Sequence, residues 1–370
     1  MAGAGGGGAL ARPLPLPERR PRGPGGRPAP LRPPRRAALG GARRPHPRGA
    51  RHRDPGGEFL AGRGEQGHVD SHALTFAVSH HTILRYSEAV SPSYNEVRMR
   101  PRDRGTQRTL TFALITSPPA VPRSRVDFFG NTVHRVDIGD PHDTLAMAVE
   151  TVVESALPRG RSSPAGWDPA TLERDARLEY ALASPRVPLG PSTAALSREW
   201  IGDDRSFDAL VELSMLIPRE FRYLTGATTV DSSIEDLLGG GAGVCQDFSH
   251  LFLAVARHAG WPARYVSGYL GPEGEHASTS GVSHAWVEVC GADGTWAGLD
   301  PTHGGHVGPH HLRLAVGRDY GDVAPHRGVF YGTAHASTPE VTVRVTRMSE
   351  RAARTAERGA ALYWQQQQQQ

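Results

Sequence analysis

The stretch from Gly239 to Pro301 constrains the fold most, because it places three reactive side-chain types at the ends of predicted regular elements. A run of glycines leads into Cys245. Apolar residues then recur at offsets of three and four, which predicts a helix with one buried face: Phe248, Leu251, Phe252, Val255 and Ala259. Cys245 therefore lies in or just before the first turn, where unpaired N–H groups and the helix dipole favour an anion. Taken alone, the cysteine also fits a small buried hydrophobe.

A hairpin is predicted after this helix. Residues 284–290 alternate in the period-two pattern of a half-buried strand, residues 291–294 carry turn residues, and residues 295–300 form the returning strand. If paired residue numbers sum to 584, His284 faces Asp300, with Cβ atoms about 4.5–5.5 Å apart. A slip of one residue would place the two side chains on opposite faces, so this prediction depends on register.

Together, Cys245, His284 and Asp300 have the side chains of a nucleophilic triad. A helix start can lower the pKa of a thiol from about 8.5 into the range of reactive cysteines. A nearby imidazole can hold the thiol proton, and a carboxylate can orient the imidazole. We therefore predict these three residues as the catalytic residues.

Several spaced motifs resemble the transglutaminase-like superfamily, and more narrowly its bacterial transglutaminase-like cysteine peptidases. The motifs span about residues 74–347, and they comprise Arg85–Val90, Asp127–His134, Gly243–His250, Pro262–Tyr269, His284–Glu288, Asp300–Thr302 and His311–Tyr320. The resemblance implies a papain-like core in which Cys245, His284 and Asp300 take the triad positions. One position departs from the pattern, since the family usually has asparagine where this chain has His303.

We expect an α+β fold with four segments. Residues 1–69 form an Arg/Pro/Gly-rich disordered tail, and residues 70–157 form a small β-sandwich or barrel. Residues 158–347 form the transglutaminase-like catalytic core, in which a helix carrying cysteine packs on an antiparallel sheet carrying histidine and aspartate. Residues 348–370 form a disordered tail.

Charge is concentrated in the amino-terminal segment. Residues 1–53 contain thirteen arginines and one acidic residue, so they carry +12, which leaves about −8 for the remainder of a chain with net charge +4. Such a segment can contact phosphates loosely, but it lacks aromatic residues for base stacking, so we consider nucleic-acid binding unlikely. An alternative interpretation is that translation starts downstream, at Val69 if a GTG codon encodes it.

The function we expect is cysteine-dependent acyl transfer on a peptide or protein amide. Hydrolysis is favoured over transamidation, although the residues themselves do not separate the two. The alternative is a catalytically inactive peptide-binding module of the same fold. We expect no organic cofactor and no metal site, because the spacing of His303, His306, His310 and His311 fits no standard zinc template. Two cysteines and no long apolar stretch predict a cytoplasmic protein without a membrane span.

Overall fold

The computed structural model describes residues 73–103, 105–156, 176–281 and 283–367. The predicted amino-terminal tail, residues 1–69, lies outside the described residues. So does residue 157, the predicted boundary between the β domain and the core.

The described chain contains fifteen strands that form two sandwich sheets, one four-stranded core sheet and one short parallel pair. In chain order they are β1 (Leu74–Val90), β2 (Ser93–Val97), β3 (Gln107–Ser117), β4 (Arg123–Val126), β5 (Thr132–Ile138), β6 (His142–Ser155), β7 (Arg222–Tyr223), β8 (Ala242–Gly243), β9 (Ala263–Leu270), β10 (Ser278–Gly281), β11 (His284–Cys290), β12 (Trp296–Leu299), β13 (His311–Gly317), β14 (His326–Phe330) and β15 (Glu340–Met348).

Six α-helices and one 3₁₀ helix, Ala176–Tyr180, complete the described elements. The α-helices are α1 (Pro191–Trp200), α2 (Phe207–Glu220), α3 (Ile234–Gly240), α4 (Cys245–His258), α5 (Tyr320–Val323) and α6 (Glu350–Gln367). The predicted α+β class is therefore confirmed.

The amino-terminal region is a β-sandwich. One sheet has the order β10-β15-β1-β6-β3, and the other has the order β14-β2-β5-β4. Inward-facing residues of both sheets share one hydrophobic core, which includes Leu84, Val97, Val136 and Met147. The alternation of apolar and polar residues along these strands accounts for this arrangement, because a strand with one apolar face must bury that face.

The sandwich is completed by strands from the far end of the chain. β14 pairs with β2, and β15 inserts beside β1, with Thr75 opposite Met348. The predicted division into residues 70–157 and 158–347 therefore does not separate two sets of sheets, because sequence order cannot reveal which distant strands share a ladder.

The carboxy-terminal segment also differs from expectation. The prediction of disorder over residues 348–370 is wrong for most of this range, because α6 covers Glu350–Gln367. An alanine- and arginine-rich composition has high helix propensity, which the sequence analysis did not weigh.

The core sheet, in the order β12-β11-β9-β13, is buried on both faces. One face packs on α4, whose buried side chains include Phe248 and Phe252. Trp286 and Val266 on the opposite face contact Phe129 from the sandwich. The prediction of a half-buried β11 is therefore wrong, because the amino-terminal region covers the side that was expected to meet solvent.

Asn131 joins the sandwich to this sheet. Its Nδ2 donates to the Val316 carbonyl at 2.8 Å, and its Oδ1 accepts from the Val316 N–H at 2.8 Å. Asp127 orients Asn131 by accepting its backbone N–H and its side-chain amide. The Asp127–His134 motif therefore has a structural role: it holds the sandwich against β13.

Candidate active site

Cys245 is the first residue of α4, as the sequence predicted. The preceding loop requires glycine at two places. Gly241 has a φ of 64°, which L side chains rarely adopt, and a Cβ on Gly243 would lie 2.9 Å from the Asp247 carboxylate. Asp247 accepts the Val244 N–H at 2.8 Å and the Thr228 hydroxyl at 2.6 Å. This carboxylate fixes the entry of the chain into the helix and hence the position of the thiol.

His284 is the first residue of β11, where it lies opposite Gly268 of β9. A Cβ on Gly268 would lie 2.3 Å from Trp286, so only glycine fits beneath the indole. The histidine side chain is 10% exposed. His284 therefore lies at the first position of a buried strand, and a small part of its ring is exposed to solvent.

The predicted hairpin forms with a different register. Glu288 pairs with Gly298 and Cys290 with Trp296, so residue numbers sum to 586 and not to 584. The turn explains the shift. Gly291 accepts from Gly294, which has a φ of 81°, so a three-residue loop is closed by Gly291 and Thr295. A shift of two residues keeps every side chain on its predicted face, and this preserves the approach of His284 to Asp300.

Asp300 follows β12 directly and is 1% exposed. Its Oδ2 lies 2.9 Å from Nε2 of His284, and its Oδ1 accepts the Thr302 N–H at 2.8 Å. The carboxylate is thus held by the turn that follows it and is directed at the imidazole.

His284 lies near the thiol as well as the carboxylate, because Cys245 is among the groups that shift its pKa. Burial alone lowers the pKa of His284. Its interactions with Asp300 and Cys245 outweigh burial and raise this pKa to about 9. For Asp300, burial raises the pKa, but hydrogen bonds from three histidines hold it far below its ordinary value. An imidazolium at neutral pH can hold the thiol proton, so the arrangement suits a thiolate–imidazolium pair.

Two further histidines, which the sequence analysis did not assign to the triad, contact Asp300. His303 Nδ1 lies 2.9 Å and His311 Nε2 lies 3.1 Å from the same Oδ2. The Gly308 N–H donates to Nδ1 of His311, so the His311 proton lies on Nε2 and points at the carboxylate. The sequence signals at these positions were the dense histidines of residues 303–311, the motif that begins at His311 and the departure from the family pattern at His303.

A cavity of about 210 Å³ lies beside His284. Its lining includes Tyr223, Leu270, Ser280 and Val343. Tyr223 is 51% exposed, and its pKa is raised by partial burial and by the nearby charge of Cys245. The cavity therefore adjoins the triad and offers mainly uncharged surface.

Among the described residues, no helix is both long enough and apolar enough to cross a membrane.

Two family models match this chain. Residues 76–154 match the bacterial transglutaminase-like N-terminal region, and residues 195–301 match the transglutaminase-like superfamily. The second match includes all three predicted triad residues and the helix and hairpin that carry them.

Full-length relatives and a solved structure agree with these matches. An uncharacterized protein of Mycobacterium leprae is 32% identical over 280 residues, which is 74% of this chain and 98% of that protein. An uncharacterized protein of Mycobacterium tuberculosis is 32% identical over 288 residues, covering 73% of this chain and 92% of that protein. A candidate cysteine protease from Cytophaga hutchinsonii, 22% identical, superposes with a TM-score of 0.59 over 74% of this chain and 91% of that one. This structural likeness supports the fold.

Proposed function

This chain belongs to the transglutaminase-like superfamily, and from that premise we propose that it is a cysteine-dependent acyl-transfer enzyme acting on amide bonds. The observation that carries the proposal is the position of His284. One ring contacts both the Asp300 carboxylate, at 2.9 Å, and the side chain of Cys245. An inactive relative would have no need of a buried imidazole between a carboxylate and a thiol.

In the proposed reaction the Cys245 thiolate attacks the amide carbonyl carbon, and the tetrahedral oxyanion forms. The N–H groups of the first turn of α4 have no intrahelical partners and are available to donate to that oxyanion. His284 then gives its proton to the departing amine, and a thioester on Cys245 remains. Asp300 keeps the imidazole oriented throughout.

The thioester has two possible acceptors. Water attacks it with His284 as the base, which gives hydrolysis, or an amine attacks it, which gives transamidation. We favour hydrolysis with a peptide or protein amide as substrate. The cavity beside His284 is lined largely by uncharged residues, so we expect the substrate to carry a neutral side chain next to the reacting bond. Neither Cys245 nor Cys290 is in a disulfide, and this supports our placing the protein in the cytoplasm.

Thiol alkylation tests the proposed activation of Cys245. An ordinary thiol is only a few per cent thiolate at pH 7, so we expect iodoacetamide to modify Cys245 roughly 30-fold faster in wild type than in His284→Ala. Mass spectrometry of the peptides measures both thiols. Cys290 is completely buried and provides an internal control that should remain unmodified. His335→Ala, at an exposed histidine, should behave as wild type.

Equal labelling rates in wild type and His284→Ala would instead support the alternative of an inactive peptide-binding module. Turnover is tested separately with a library of peptides and amines offered to wild type and Cys245→Ala. The product masses distinguish hydrolysis from amine incorporation.

A further inference from the structure

Asp300 Oδ2 has more imidazole partners than a triad requires. The rings of His284, His303 and His311 all place a nitrogen within 3.1 Å of this one oxygen. His284 is needed to activate the thiol, and His311 is fixed as a donor by the Gly308 N–H. His303 has neither role.

His284, Asp300 and His303 place possible metal-ligand atoms close to one another. Nε2 or Nδ1 of His284 and of His303 and one oxygen of Asp300 all lie within 4.8 Å of one another. Zinc takes imidazole nitrogen and carboxylate oxygen at about 2.0–2.2 Å in a tetrahedral site, so ligand atoms must approach to about 3.3 Å of one another. Asp300 Oδ2 lies 2.9 Å from Nε2 of His284 and 2.9 Å from Nδ1 of His303, so two of the three pairs of ligand atoms are already close enough.

The site is also accessible and has suitable charge. The His303 side chain is 57% exposed, whereas Asp300 is 2% and His284 is 10% exposed. An ion can therefore enter from the His303 side and find a buried anionic ligand. Once the Nε2 proton of His284 has left, two neutral imidazoles and one carboxylate hold the ion and leave a fourth position for water, which is common where zinc has three protein ligands.

We propose that His284, Asp300 and His303 bind one zinc ion and that bound zinc switches the triad off. The zinc occupies the lone pair on Nε2 of His284, and the proton formerly on that nitrogen leaves to solvent. The remaining ring proton stays on Nδ1. The zinc-bound ring could give this proton to the departing amine only by becoming an imidazolate, and while the proton stays on Nδ1 the ring has no lone pair to accept a proton from attacking water, so turnover stops. At His303 the metal takes Nδ1, and the ring proton moves to Nε2.

This proposal departs from the sequence analysis, which expected no metal site. Spacing within residues 303–311 matched no zinc template because one ligand comes from that segment, one from the end of β12 and one from the start of β11. The switching part rests on the proposed function, whereas the binding part does not.

Isothermal titration calorimetry of the metal-free full chain with zinc chloride tests the binding part. We expect one zinc per chain in wild type and at least about tenfold weaker binding in His303→Asn. Asparagine is the residue usual at this position in the family that the chain resembles, so this variant should fold. His335→Asn should bind as wild type. Equal affinity in wild type and His303→Asn would overturn the proposal, and so would a loss of binding in both histidine variants.

A competing zinc site at the thiol is distinguished by Cys245→Ser. If binding is unchanged in this variant and lost in His303→Asn, the proposed ligands are supported. The reverse result would overturn them.

The switching part is tested by turnover of an amide substrate with and without zinc. Zinc should inhibit wild type, chelation by EDTA should reverse the inhibition, and His303→Asn should resist it. Full turnover by zinc-saturated wild type would refute the switch. Zinc binding by a chain with no turnover at all would refute the proposed function and leave the binding site supported.

Discussion

His284 makes the stability of the protein depend on pH. Its pKa is 6.5 as an ordinary value and about 9 in the folded chain, so folding favours the charged ring. The resulting stabilisation is complete below about pH 6.5 and is lost as the pH rises to about 9. With about 1.36 kcal/mol per pKa unit, we expect the stability advantage of wild type over His284→Gln to shrink by at most about 3 kcal/mol across this range.

Urea denaturation at pH 6, 7.5 and 9 measures this difference. Because glutamine does not titrate, the variant corrects for the pH dependence of all other groups. A difference that stayed constant or grew with pH would contradict the contacts that His284 makes with Asp300 and Cys245.

The positions of Cys245, His284 and Asp300 at the ends of regular elements could be predicted from the sequence because each follows a local pattern. Cys245 precedes a clear helical periodicity, and His284 and Asp300 flank an alternating hairpin. The contacts of His303 and His311 with Asp300 could not be predicted in this way. They depend on how the chain turns between β12 and β13, and glycines such as Gly304 and Gly305, both with positive φ, permit many such turns.

At the scale of elements, Glu288 joins three strands of the core sheet. It lies in β11, accepts from Nε of Arg264 in β9 at 2.7 Å, and pairs with Arg313 in β13. Burial raises the pKa of Glu288, but the charges of Arg313 and Arg264 outweigh burial and lower it to about 2. The carboxylate therefore stays ionised and neutralises two arginines between the strands.

We expect Glu288→Gln to lower the free energy of unfolding by roughly 3–5 kcal/mol, because it leaves two arginines without their buried counter-charge. Urea denaturation measures the loss. The matched control is Glu340→Gln, which breaks an ion pair with Arg85 whose side chains are more than half exposed. That change should cost less than about 1 kcal/mol. Similar losses in the two variants would show that the buried pair does not hold the sheet together.

Strands β11 and β12 were predicted close to their observed bounds, whereas their pairing was predicted only in part. The hairpin of β11 and β12 was displaced by two residues, because the positive φ of Gly294 selects the turn and alternation alone does not. The partners of β14 and β15 lie near the start of the chain, and no local pattern encodes such a distance.

At the scale of the whole molecule, the sandwich and the core sheet depend on each other. The sandwich provides Phe129 and Asn131 to the face of the core sheet opposite α4, and it receives β14 and β15 in return. The described residues from 73 to 367 accordingly fall within one compact unit. A fragment cut at the predicted boundary would expose the apolar surface around Trp286 to water.

We therefore expect a fragment of residues 158–347 to lack a cooperative thermal transition and to aggregate, because it loses the partners of β14 and β15 and the cover over Trp286. Circular dichroism melting and gel filtration measure both effects. A fragment of residues 70–370 is the control and should melt cooperatively, since the described contacts begin after residue 72. A sharp transition in the shorter fragment would contradict this interdependence.

The place of β15 between β10 and β1 has a consequence for synthesis on the ribosome. β1 emerges early, and the strand that belongs at its side emerges only after the entire triad region has been translated. An unfinished chain therefore exposes one edge of β1 for most of its translation, and an unpaired edge invites association with other nascent chains. The five-stranded sheet can be completed only when residues 340–348 have left the exit tunnel, so a premature stop codon before residue 340 would leave that edge open permanently.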